Sequence, residues 1–386
     1  MQNIYIGDRG VMVEYLQLAL NRAGYDTPID GIFAMDTCRQ LKRFLHDNEK
    51  EGAGCYVDTL IWRQLIPYLR GYDSYGKLFS FDLVSDKVAY TSFLTDLIIE
   101  GLINRYPFIN SCNVGMSVMG KNISCIKLGQ GEKEIFYNAS FHANEWITTP
   151  VLLKFAQEYA KAYESGSSLY GADINELYEE YSLYLVPMVN PDGVNLVNGV
   201  LYNQTYFQQA KAIAENFPDI PFPSGWKANI NGIDLNLQFP AGWEMAKEIK
   251  YEQGYTIPAP RDYVGQKPLS APESKSIYDF TLSHDFRLII AYHTQGEVIY
   301  WKYSDYEPEN SQSIAEYFGK VSGYEVEETP LVSGYAGYKD WFIQQYDRPG
   351  YTIEVGLGIN PIGMEQFNTI YEQNKEILVG GMTKIK

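Results

Sequence analysis

From Thr91 to the C-terminus the chain alternates between two apolar patterns, and this alternation restricts the fold more than any other feature of the sequence. The segments "TSFLTDLIIEGLINRY" (91–106), "WITTPVLLKFAQEYAKAY" (146–163) and "MEQFNTIYEQNKEILVGGM" (364–382) repeat apolar residues at helical spacing. Set among them, "EIFYNASF" (134–141), "YSLYLVPMV" (181–189), "FRLIIAYH" (286–293) and "YTIEVG" (351–356) are short apolar runs of buried-strand type. Strand and helix in turn predict an α/β domain with a largely parallel sheet. Ligands in such sheets sit at the carboxyl ends of strands. His142, His293 and Glu354 all fall there, at or just after an apolar run.

Before this region the pattern differs. Helical spacing recurs in 11–23, 34–48 and 57–69, with Gly24 as a C-terminal stop and the Gly-containing "EGAGC" between the second and third segments. A compact three-helix module over residues 1–72 is expected, followed by the connecting tract "RGYDSYGKLFSFD" and a larger domain over 85–386. At 386 residues and 45% hydrophobic, the chain can bury a core for both.

The formal charge of −17 argues against an electrostatic footprint for nucleic acid. No run approaches the roughly 18 apolar residues of a membrane span. The start "MQNIYIGDRG" lacks a basic segment followed by an apolar one, so the chain as given is expected to be cytoplasmic. Cys38, Cys55, Cys112 and Cys125 show no C-x-x-C spacing and are expected to be reduced and mostly buried, with a Cys38–Cys55 pair as the lesser alternative.

The chain has four histidines: His46, His142, His284 and His293. In "FHANEWITTP", His142 ends a strand-like run and Glu145 begins helix-like sequence, so the two can converge on one point. With His293 from another strand they make a His, Glu, His set, three protein ligands of the kind a catalytic zinc uses. Alone, a His-x-x-Glu pair more often reflects a packed histidine and a solvated glutamate than a metal site.

The ordered set changes that. "FHANEW", "VNPDGV" (189–194), "GIDLNLQFP" (232–240), "LSAPES" (269–274), "AYHTQG" (291–296) and "YTIEVG", approached through "GMSVMGKNISCIKLG" (115–129), resemble the zinc carboxypeptidases in content and order. The resemblance covers about 300 residues. It implies a mixed sheet flanked by helices, one zinc ion per chain on His142, Glu145 and His293, and Glu354 as the general base for hydrolysis. It also implies a fixed positive charge facing the carbonyl oxygen. Lys227 in "WKAN" is the candidate, where the family usually has arginine. Residues 4–69 resemble the small peptidoglycan-binding-like domain attached to cell-wall hydrolases. The alternative for that module is that it only packs against the larger domain.

Two departures bear on the substrate. Where the family commonly has arginine between the first two zinc ligands, this chain has Asn144. Where an Asn-Arg pair grips a C-terminal carboxylate, it has Asn236 and Leu237. Leucine cannot make a bidentate carboxylate contact. The combination with the N-terminal module resembles the γ-D-glutamyl-diamino acid peptidase branch, which implies cleavage of the γ-D-glutamyl–diaminopimelate or –lysine amide of peptidoglycan stem peptides or muropeptides. Recycling of imported wall fragments, or action at the spore or cell wall during sporulation, would bring such an enzyme to its substrate. Asn144, Asn236 and Tyr338 are expected to contact substrate, with Tyr335 the alternative tyrosine. Lys339, Arg348, Arg261 and Lys302 are open choices for carboxylates, and Asp340 for an ammonium group. A general zinc carboxypeptidase and an inactive wall-binding protein are the competing readings.

Overall fold

A computed structural model describes residues 2–48, 54–330 and 333–385. The alternating region forms one eight-stranded sheet: β1 (Asn110–Met116), β2 (Asn122–Leu128), β3 (Lys133–Ala139), β4 (Tyr181–Val186), β5 (Phe286–His293), β6 (Val298–Tyr300), β7 (Glu325–Glu327) and β8 (Gly350–Glu354). Its spatial order is β7-β6-β8-β5-β3-β4-β2-β1. The four central strands, β8, β5, β3 and β4, run parallel. Antiparallel pairings join β1 to β2, β2 to β4 and β6 to β8, so the sheet is mixed.

Side-chain alternation along the central strands builds two cores. Ile135, Tyr137, Leu183, Leu185, Leu288, Ile290, Tyr351 and Ile353 face one way, into the apolar cluster that holds Leu94 and Ile98, Val151 and Phe155, and Ile370 and Leu378. Those pairs come from helices Ser92–Arg105, Thr148–Ser165 and Phe367–Thr383. Phe136, Tyr184, Val186, Ile289 and Ala291 face the other way, onto Ile277, Trp341 and Phe342. Each strand therefore buries both faces, which is why it reads as a continuous apolar run. The fold brings the C-terminal ends of β3, β5 and β8 together, and His293 and Glu354 are register partners across β5 and β8.

The three expected N-terminal helices are Val11–Arg22, Met35–Asp47 and Thr59–Arg70. Asp58 caps the third by accepting from the Leu60 and Ile61 amides, and Gly71 ends it in the left-handed conformation. A short antiparallel pairing of Ile4–Tyr5 with Tyr56–Val57 is added to the expected helices. The module is tied closely to the 82–89 segment of the connecting chain. Tyr15 Oη donates to Ala89 O at 2.8 Å, Glu14 Oε2 accepts from the Ala89 amide at 2.9 Å, and Arg22 donates to the Asp82 and Leu83 carbonyls at 2.7 and 2.8 Å. One apolar cluster runs from Leu16 and Trp62 through Leu83 into the sheet.

The cysteine expectation needs correcting. Cys38 and Cys55 form a disulfide, their Cα atoms 5.2 Å apart, because the Cys38 helix and the turn before the third helix meet in the module core. Cys112 is free and exposed, not buried, and Cys125 opposite it is buried. Among the described residues, no helix is long and apolar enough to cross a membrane.

Candidate active site

The His142 segment leaves β3 through Ser140, which adopts a positive φ of 52° and donates its amide to Thr148 Oγ1 at 3.0 Å. Thr148 and Thr149 lie within 3.1 Å of the Ser140 hydroxyl, so the turn is fixed by the start of the next helix. Asn190 of "VNPDGV" donates to the carbonyls of Phe141 and Ala228, and the Ala143 amide donates to Lys227 O at 2.9 Å. The first zinc-ligand loop and the loop carrying Lys227 are thus held to one another by backbone contacts. Buried Glu273 of "LSAPES" accepts from the Val118 amide and from Asn229 Nδ2, and burial pushes its carboxyl up to about 7. Much of the motif set is this internal wiring.

It places three donors at one point. His142 Nδ1 lies 2.9 Å from Glu145 Oε1, His293 Nδ1 lies 2.9 Å from Glu145 Oε2, and the two Nδ1 atoms are 3.2 Å apart. One ligand atom from each residue fits within 4.8 Å of the others, and all three side chains are buried. His142 Nε2–H donates to Asp234 Oδ1 at 3.1 Å, which fixes the tautomer and leaves the Nδ1 lone pair facing inward. Two neutral imidazole nitrogens and a carboxylate form the donor set that zinc takes. The residues present fit that ion.

The charges agree. Burial disfavours charge on Glu145, yet His142 and Lys227 hold its carboxyl well below the usual range. Burial would lower His142, but Glu145 and Asp234 outweigh it and lift it to about 9 before a metal competes for the lone pair. Glu354 is raised above an ordinary glutamate: burial pushes it up, His293 opposes this, and Glu145 adds to it. Lys227 Nζ sits 2.9 Å from Glu145 Oε1, and that carboxylate keeps it charged against the effect of burial.

Two adjoining cavities meet here. The smaller, about 210 Å³, is lined by His142, His293, Asn236, Leu237, Lys339 and Asp340 among others. The larger, about 600 Å³, includes Asn144, Ser224, Thr294 and Asn360. Lys227, Arg261, Tyr300 and Glu354 line both.

Residues 97–359 match the zinc carboxypeptidase family. The chain belongs to that family. It is 46% identical over 294 residues to gamma-D-glutamyl-L-diamino acid endopeptidase 1 of Lysinibacillus sphaericus, covering 76% of this chain and 72% of that one. It is 22% identical over 265 residues to carboxypeptidase B of Bos taurus, covering 64% and 58%. Its fold superposes on thrombin activatable fibrinolysis inhibitor with TM-score 0.59 at 16% identity, covering 100% of this chain and 99% of that one. Carboxypeptidase A from Helicoverpa armigera gives 0.56 at 17%, covering 88% and 84%. The chain is a metallopeptidase whose zinc ligands are His142, Glu145 and His293.

Of the other expected residues, Lys227, Asn236 and Asn144 line the cavities. Asn236 Oδ1 accepts the Tyr338 amide at 3.0 Å, and Asn144 Nδ2 donates to Ser224 O at 3.3 Å. Tyr338 is a correction. Its side chain is wholly buried, with its hydroxyl 3.0 Å from Thr281 Oγ1 and its ring against Phe141 and Phe239. Helical spacing from Gly337 turns it inward and leaves Lys339 and Asp340 on the cavity. Tyr335 packs at Tyr303 and Gly242, outside both cavities. Arg348 pairs with Asp285, and Lys302 with Glu307 and Glu328, likewise away from the zinc ligands. The tyrosine that does reach the site is Tyr300 on β6, a position with no motif around it. Asp234 is the clearer omission: its Asp-x-Asn spacing is visible in the sequence, but nothing there gives it a role.

Proposed function

We propose that the chain hydrolyses the γ-D-glutamyl–diamino acid amide of peptidoglycan stem peptides. The observation that carries this is the floor of the smaller cavity. Lys339 Nζ donates to Lys302 O at 2.8 Å and to Asp340 Oδ1 at 2.5 Å, both side chains being almost fully buried. An ammonium has three donors, so one N–H of Lys339 is left for a ligand. Gly337 allows this packing, because a Cβ there would lie 2.5 Å from Asp340 Oδ2. A lysine and an aspartate side by side suit the distal ammonium and carboxylate of a diamino acid. Beside them Leu237 offers nothing to a plain C-terminal carboxylate. The 46% identity to an enzyme named for this bond supports the same reading.

Zinc held by the three ligands would polarise the scissile carbonyl and make a water acidic enough to attack near neutral pH. Glu354 takes that water's proton and returns it to the leaving amine, and its raised proton affinity suits the transfer. Lys227 faces the carbonyl oxygen as it gains charge. Asp234 holds the His142 ring in place. Residues 1–72 are proposed as a wall-binding domain packed against a catalytic domain at 85–386. The exposed cross-strand pair Tyr5 and Tyr56, ring centroids 6.4 Å apart, offers an aromatic surface for glycan.

The deciding experiment is mass-spectrometric analysis of products from L-Ala-γ-D-Glu-diaminopimelate and purified muropeptides. Release of L-Ala-D-Glu is expected. Release of C-terminal amino acids alone, with the γ-amide intact, would replace this reading with ordinary carboxypeptidase action.

A further inference from the structure

The loss of arginine at 144 and 237 leaves the site without the guanidinium groups its family pattern supplies, yet one guanidinium is still there. Arg261 comes from the irregular segment between Ala259 and Val264, far from either position in sequence, and it lines both cavities together with Glu354 and Lys227. It is oriented. Nε donates to Asp262 Oδ2 at 2.5 Å, and Asp262 is held from its other oxygen by Lys250 Nζ at 2.6 Å. The Asp262 amide donates to Asp234 Oδ2 at 3.1 Å, on the same carboxylate that orients His142. The segment is thereby tied to the zinc-ligand frame. With Nε occupied, the two terminal nitrogens have no hydrogen-bond partner among the described residues. They present the fork that matches a carboxylate.

Building on the proposed cleavage of the γ-glutamyl amide, we propose that Arg261 binds the α-carboxylate of the γ-linked glutamyl residue and so makes the enzyme selective for glutamate over its α-amide. In a γ-linked glutamate three carbons separate the scissile carbonyl carbon from the α-carboxylate, a short reach for a group at the junction of the two cavities. The leaving side is already provided for: Lys339 and Asp340 floor the smaller cavity, where the diamino acid sits. Asn144, whose buried Oδ1 is unpartnered, and Thr294 add polar groups to the larger cavity, where Lys227 is the other cation and Asp219 and Glu354 are the acids. Arg261 thus brings a guanidinium to the site from a segment that carries neither residue 144 nor residue 237.

The test compares L-Ala-γ-D-Glu-diaminopimelate with the tripeptide carrying γ-D-isoglutamine, in which the α-carboxylate is an amide. Wild type should favour the acid by a factor of tens or more in kcat/KM. Arg261→Gln should lose roughly a hundredfold on the acid, mostly in KM, and collapse the acid-to-amide ratio toward one, while Arg261→Lys should restore part of it. Zinc content, measured in each protein, separates this from damage passed through Asp262 to Asp234. A wild-type ratio near one, or an unchanged ratio in Arg261→Gln, overturns the proposal. Calorimetric titration of L-Ala-D-Glu into zinc-loaded wild type and variant reads the same contact without turnover. Equal affinity overturns the proposal. Weaker binding by the variant, with neither tripeptide cut at the γ-amide, sinks the cleavage reading and leaves the carboxylate subsite standing.

Discussion

The two sides of the cleft are built by different means. On the metal side, His142, Glu145, Asp234 and His293 are all buried and cross-linked by contacts of 2.9 to 3.1 Å. On the reading side, Arg261 is 43% exposed, Asn144 keeps an unpartnered oxygen, and Lys339 retains a free N–H. Of these four side chains only His293 Nε2 is left without a hydrogen-bond partner among the described residues. The reading side leaves a group open on each of its three residues. A zinc site needs fixed geometry whatever is cleaved, whereas selectivity needs groups whose remaining valences a ligand fills.

The first way to break the comparison is to remove the metal side altogether. His142→Ala or Glu145→Ala should abolish stoichiometric zinc and lower turnover by about a thousandfold or more. Chelation of wild type should do the same, with zinc restoring activity. Metal analysis beside a turnover assay checks both, and full activity in metal-free protein would refute the zinc assignment. Glu354→Gln separates chemistry from metal holding. It should keep one zinc per chain yet lose roughly a hundredfold or more in kcat, as loss of a general base predicts. Near-normal kcat would move the base elsewhere.

Asp234→Asn probes the support behind the ligands. The amide no longer draws the Nε2 proton as strongly, so the Nδ1 lone pair is less firmly presented, and zinc affinity should fall about ten- to a hundredfold. Competition with a chromophoric chelator measures it. An unchanged affinity would mean that packing against the His293 ring and its neighbours orients His142 without help.

These two sides also differ in how they read from sequence. His142, Glu145, His293 and Glu354 end apolar strands or come within a few residues of them, so periodicity alone puts them at one edge of the sheet. The central strands are recognisable for the same reason: burial on both faces makes "YSLYLV" and "FRLIIAYH" unbroken apolar runs. The edge strand Glu325–Glu327 and its neighbour Val298–Tyr300 are three residues each and only partly buried, too short to carry a pattern, and Tyr300 is hidden with them. Arg261, Lys339 and Asp340 sit on irregular backbone or a helix start, and only tertiary packing aims them. Tyr338 shows how sensitive register is there, since one residue of difference separates the core from the cavity. The Cys38–Cys55 bridge is obscured because sequence spacing says nothing of where a helix and a later turn meet.

The smallest expected effect concerns Leu237, where metal side and reading side touch. It is 7% exposed, packs with Trp243, Val264 and Ala336, and still lines the smaller cavity. Leu237→Arg would place a guanidinium next to Asn236, within reach of a carboxylate on the leaving side. A charged hydrogen bond is worth about 1.5 to 3 kcal/mol, roughly ten- to a hundredfold, less the cost of disturbing the apolar cluster and of setting a second cation near Arg261. A net shift of about tenfold toward a blocked dipeptide ending in an ordinary L-amino acid is therefore expected. It is measured as the ratio of kcat/KM for that dipeptide to kcat/KM for L-Ala-γ-D-Glu-diaminopimelate, in wild type and variant with equal zinc content. A ratio that does not move would show that Leu237 only packs, and that selection against plain C-termini comes from the Lys339–Asp340 floor. A wild type that already prefers the dipeptide would show that its terminal carboxylate is gripped without an arginine at 237.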